Sequence, residues 1–194
     1  MNYKEFFGIV SVIIGLVSFA PYLRDIFLKK TTPHMYSWLV WSILQTIGVI
    51  AMIVGHAGFG AVGLAAGGLV SISVFLLSFK YGTKNITKFD TFCLIGALIT
   101  TVIYLLQKDP FVAAILITII DFIAFWPTYR KGYMEPHSET ISTYLLSAIS
   151  LSLALLAIAN YSLITTLYIG SLVVTNLGIV IILIVRRTVG AVKI

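Results

Sequence analysis

Phe19-Ala20-Pro21-Tyr22-Leu23-Arg24 is echoed about 106 residues later by Phe125-Trp126-Pro127-Thr128-Tyr129-Arg130. In each copy the Pro-x-x-Arg closes a long apolar run. A Pro-His pair, Pro33-His34 or Pro136-His137, opens the next run, with Ser37 and Thr140 at matching places beyond it. A membrane chain that repeats itself in this way is built by duplicating a small helical bundle. Such bundles commonly enclose a substrate site between the two halves.

Outward from these motifs the chain is apolar almost everywhere. It is 59% hydrophobic and only 10% charged, with a mean hydropathy of +1.05. A soluble domain of this size needs far more polar surface, so the chain belongs in a bilayer. Seven apolar stretches can be read: Phe6 to Leu28, Met35 to Val54, Gly58 to Phe79, Phe89 to Leu106, Phe111 to Tyr129, Thr140 to Ala159 and Ser162 to Val185. Each holds roughly 18 to 24 residues, enough for a helix to cross about 30 Å of hydrocarbon. Helices are required because lipid cannot satisfy backbone polar groups, and the two-residue alternation of a β-barrel is absent. The first stretch lacks a strongly basic start and a cleavage-type site, so it reads as a retained helix. The single cysteine, Cys93, cannot pair within the chain.

Charge orients these crossings. Arg24, Lys29 and Lys30 follow the first stretch, Lys80, Lys84 and Lys88 the third, Arg130 and Lys131 the fifth, and Arg186, Arg187 and Lys193 the seventh. Of the 13 basic residues, only Lys4 and Lys108 fall on the other side. The positive-inside rule then predicts an outside N-terminus and a cytoplasmic C-terminus. The net charge of +6 faces anionic lipid and needs no nucleic-acid partner.

The expected fold is therefore an all-α integral membrane protein of seven helices in a 3+1+3 order. Residues 1–84 form the first three-helix bundle, 85–108 a connector helix, and 109–194 the second bundle. Both halves start on the same side, so they are parallel repeats about an axis along the membrane normal. A proline near the inner end of the first and fifth helices, followed by a basic residue, resembles the PQ-loop motif of the SWEET, SemiSWEET and PQ-loop superfamily of membrane transporters. The helix order and orientation are similar too. Tyr22 and Thr128 stand where that family usually has glutamine. The resemblance implies transport of a sugar, amino acid or vitamin-like solute, and location in a bacterial cytoplasmic (inner) membrane.

Pro21 and Pro127 lack an amide hydrogen and are expected to kink their helices; in the related transporters such kinks act as hinges. Pro33 and Pro136 suit first-turn positions of the second and sixth helices. Asp121 is the sharpest single signal. It lies mid-helix in Leu116-Ile117-Thr118-Ile119-Ile120-Asp121-Phe122-Ile123, where a carboxylate must face the bundle interior or a wet cavity. It can serve as a protonatable coupling group or as a structural residue bonded to a neighbouring helix. Counting helical rise from the charged ends puts Asp121, Asn176 and Gln45 at one depth, about 13 to 15 Å from the cytoplasmic edge. The resemblance places a substrate near this level beside an asparagine of the last helix, which Asn176 matches, with Thr118 and Thr175 as further lining candidates. Gln45 is equally suited to gluing two helices together.

Trp38 and Trp41 share a helix face, and Trp126 lies beside Phe125 next to Pro127. These four are either interfacial anchors or an inner gate beneath the substrate. Gly63-x-x-x-Gly67 lets another backbone approach closely, within the bundle or in a homo-oligomer. No converging metal ligands, cofactor motif or catalytic pairing is visible. A retinal protein would need a lysine in the seventh stretch, which has none. The leading expectation is a non-enzymatic transporter of a small polar solute working by alternating access, as a uniporter or with a proton. The alternative is a receptor of the same fold that binds without transporting.

Overall fold

The computed structural model describes residues 2–82, 86–107 and 109–191. Lys84, Lys108 and Lys193, which enter the charge pattern, lie outside the described residues. Seven α-helices and one 3-10 turn make up the described chain: α1 (Tyr3–Phe27), α2 (Met35–Val54), α3 (Gly60–Tyr81), α4 (Lys88–Gln107), α5 (Pro110–Met134), the turn Pro136–Ser138, α6 (Ile141–Leu156) and α7 (Leu163–Ala191). Five of them, α1, α2, α3, α5 and α7, are long and apolar enough to cross a membrane. Large apolar side chains such as Leu69, Phe79 and Ile181 point outward. The chain is thus an apolar helical bundle with its greasy side chains outside, as lipid requires.

Helix ends follow local chemistry. Asn2 caps α1, and Glu5 reaches back to the Asn2 amide, completing a capping box. Pro110 starts α5, with the Asp109 carboxylate accepting from the amides of Phe111 and Val112. Pro33 and Pro136 do not take the first-turn places expected of them. Pro33 precedes His34, the cap of α2, while Pro136 opens the 3-10 turn before α6. The sixth helix is also shorter than its apolar stretch, at 16 residues. It stops because Ala157 and Ile158 tighten into a turn and the Ala159 amide bonds Ala57 O at 2.9 Å. α1 and α5 run continuously through Pro21 and Pro127.

In packing, α3 lies between α1 and α2, and α7 lies between α5 and α6. α1 meets α6, α2 meets α5, and α3 and α7 reach across to α6 and α2 respectively. α4 sits against α2 and α5. The α1–α6 seam is made of small residues one turn apart, Ser11, Gly15 and Ser18, on the face of α1 that also buries Gly8 against Phe59. Ser150 Oγ donates to Ser11 O at 2.6 Å, and the Ser18 and Ser147 hydroxyls meet at 3.2 Å. Without a hydrophobic drive between helices in lipid, close approach and such hydrogen bonds hold the seam. Gly63 of α3 closes the same end: a Cβ there would lie 2.7 Å from Ser11 Oγ and 2.9 Å from Ala154 Cβ. Gly63-x-x-x-Gly67 therefore serves packing inside the bundle.

Candidate functional site

Two adjoining cavities lie among the helices. The central one draws its lining from α1, α2, α3, α6, α7 and one residue of α5. Its polar groups are Gln45 on α2, Ser71 on α3, Thr143, Ser147 and Ser150 on α6, and Asn176 on α7. Gln45 Nε2 donates to Ser71 Oγ at 2.8 Å, and Asn176 Nδ2 donates to Leu172 O at 2.7 Å. Gly67 makes room for the Gln45 amide, since a Cβ on it would lie 2.7 Å from Gln45 Oε1. A mostly apolar pocket with a few convergent polar groups suits a small solute.

The second cavity is a charged vestibule at the end where α1 finishes and α2 begins. His34, Asp90, Arg130, Lys131, Glu135 and Glu139 line it. His34 Nε2 lies 3.1 Å from Asp90 Oδ2, tying α2 to α4. Buried Glu139 accepts from Lys131 Nζ at 3.0 Å and from Tyr144 Oη at 2.8 Å, while its backbone carbonyl accepts from Arg187. Asp25 accepts from Arg24 and, across the α1–α6 seam, from Thr140 Oγ1 at 2.8 Å.

Between the two cavities stands a wall of aromatic side chains. Tyr22, Trp38, Trp41 and Tyr144 line both spaces. The Trp38 indole N–H donates to Tyr22 Oη at 3.3 Å. Ring centroids are 5.2 Å apart for Tyr22–Trp38, 5.0 Å for Trp38–Trp41 and 5.0 Å for Trp41–Phe125. Each such pair contributes about 0.5–1.5 kcal/mol beyond area burial. The wall draws on α1, α2, α5 and α6.

The structure thus brings Gln45, Asn176, Trp38, Trp41 and Phe125 to one place. It separates the remaining candidates from them. Trp126 turns outward and is 63% exposed, because one step along a helix rotates it about 100° from buried Phe125. It has no part in the wall. Thr118 and Thr175 are buried and donate to Ala114 O and Leu172 O of their own helices. Neither lines the cavity, and neither does Asp121. Asp121 is wholly buried (0% exposed), and among the described residues neither carboxylate oxygen has a hydrogen-bond partner. It lies within electrostatic reach of Tyr129 and Tyr168. Tyr168 Oη is also buried and without a partner, and its ring covers Gly48 of α2.

Tyr22, Tyr144 and the α6 hydroxyls escape a reading of the sequence based on strong hydrogen-bonding groups. For Tyr22 the signal is spacing: Gly8, Ser11, Gly15, Ser18 and Tyr22 fall on one helical face. Among the described residues no group of three or more His, Cys, Asp or Glu side chains could hold a metal ion. Comparison of the chain with family models, curated proteins and solved structures finds no match.

Proposed function

We propose that this protein is a membrane transporter that moves a small polar solute by alternating access around the central cavity. The observation that carries the reading is a central cavity with a few convergent polar groups, lined by helices from both halves of the chain and walled off from a charged vestibule by an aromatic layer. In this reading the halves are two parallel three-helix repeats joined by α4. The contacts support it: exchanging α1, α2 and α3 for α5, α6 and α7 turns the α1–α6 contact into α5–α2 and α3–α6 into α7–α2, all of which occur. The N-terminus lies outside and the vestibule faces the cytoplasm, as the basic residues require. The repeated proline motif supports kinship with the SWEET and PQ-loop superfamily.

Gln45 and Asn176 hold the solute, and Trp38, Trp41 and Phe125 form the inner gate. Pro21 and Pro127 supply the hinges, each in the turn adjoining the gate, where the missing amide leaves the carbonyl four residues earlier without its helical partner. Asp121, one turn from Phe125 and without a hydrogen-bond partner, is the group at which a proton could be taken up and released during the cycle. A cysteine at Ser147 in a Cys93→Ser background tests alternation. Alternating access predicts labelling by a membrane-impermeant maleimide from either side of the membrane. Labelling from one side only would instead favour a receptor that binds without transporting.

A further inference from the structure

Resting on the transport reading, the chemistry of the central cavity narrows the class of solute. Among the described residues no Lys, Arg, His, Asp or Glu side chain lines it. The charged groups of the vestibule lie beyond the aromatic wall, and Asp121 lies outside the lining. An amino-acid zwitterion or a phosphate ester would leave its charges without counter-charges among these helices, at heavy cost. Such a lining suits an uncharged solute.

Its shape follows from what the lining leaves unused. Gln45 and Asn176 each spend one N–H on the protein. Each keeps its carbonyl oxygen and a second N–H, a side-by-side donor and acceptor that pairs with the edge of a nitrogen heterocycle. The Trp41 and Phe125 rings, tilted by 42° at 5.0 Å, supply π faces on which a flat ring stacks. The serines of the α1–α6 seam, Ser147 and Ser150, add hydroxyl groups for a polyol portion. We propose that the site takes a neutral nucleoside-like solute, with its heterocycle against the Trp41–Phe125 wall and its polar edge on Gln45 and Asn176. A hexose could use the hydroxyls but has no heteroaromatic edge for the two carboxamides.

The test is thermal unfolding of the purified protein with adenosine, uridine, adenosine monophosphate, glucose and tryptophan at equal millimolar concentrations. Gln45→Leu, Asn176→Leu and Trp126→Ala are run beside the wild type. Adenosine or uridine should raise the melting temperature by about 5 °C when present at about a hundred times its Kd. The rise should vanish in Gln45→Leu and Asn176→Leu and persist in Trp126→Ala. The monophosphate, glucose and tryptophan should give none. Stabilisation by glucose, tryptophan or the monophosphate but by neither nucleoside overturns the proposal, as does no response to either nucleoside. If the two leucine variants fail to fold, the wild type's choice between adenosine and its monophosphate decides alone. Nucleoside binding without uptake into vesicles upholds this inference and sinks the transport reading. Uptake of a solute of another class does the reverse.

Discussion

Replacing Asp121 by leucine should leave the protein at least as stable as the wild type while abolishing transport. The carboxyl is wholly buried and neither oxygen has a hydrogen-bond partner among the described residues. Leucine carries two methyl groups at the same branch point, so it nearly reproduces the shape. An unsatisfied buried polar group costs about 1–3 kcal/mol, which the substitution removes. Part of that gain is lost because the unfolded chain also stays in lipid and finds partners there. The slightly larger side chain gives back about 1 kcal/mol in overpacking. The net expectation is a gain of about 0–2 kcal/mol, or a melting temperature unchanged or raised by as much as about 6 °C for a chain of this size. Asp121→Asn keeps an unsatisfied polar group and should gain nothing. The assay is thermal unfolding in detergent, with vesicle uptake measured on the same preparations. A fall in stability of more than about 2 kcal/mol in Asp121→Leu would refute the reasoning, since it would mean the carboxyl holds the bundle together.

Three further outcomes follow from the geometry. Trp126→Ala should change stability by less than about 0.5 kcal/mol and leave uptake intact, because the ring lies outside the wall; a loss of uptake would put Trp126 back in the gate. Lys131→Met should destabilise by about 1–3 kcal/mol, since it strips buried Glu139 of its counter-charge, and Lys131→Met with Glu139→Gln should recover most of that loss in the same unfolding assay. In the Cys93→Ser background, a cysteine at Lys4 should react with impermeant maleimide from outside intact cells and one at Thr188 only after permeabilisation. The reverse pattern would invert the assigned orientation.

Much of the fold can be read directly from the chain. Runs of about 20 apolar residues have few alternatives in lipid, and their limits match α2 to the residue. The sixth helix shows the limit of that rule: hydropathy marks how far apolar residues extend, while the turn at Ala157 and the Ala159–Ala57 hydrogen bond decide where the helix stops. Proline gave a similar lesson, since Pro33 sets the backbone leading into a cap rather than the first helical turn. At the site, spacing carried Trp38 and Trp41 to one face, and the cavity uses both together with Gln45. Counting rise along a helix supplies depth but not direction. That is why Asp121, expected at the level of Gln45 and Asn176, lies outside the lining, and why Trp126 was grouped with Phe125. The serine and glycine stripe of α1 stayed hidden because small residues look inert until a second helix is known to lie against them.

The claim that a solute crosses through the central cavity is tested most directly by counterflow into vesicles containing the purified protein. The labelled solute is one that stabilises the protein, and Gly67→Leu is compared with the wild type. Leucine at position 67 would fill the space beside Gln45 from within the lining. The account predicts saturable counterflow for the wild type and none for a folded Gly67→Leu. Binding by the wild type with no flux above protein-free vesicles, or flux undiminished in Gly67→Leu, would contradict it.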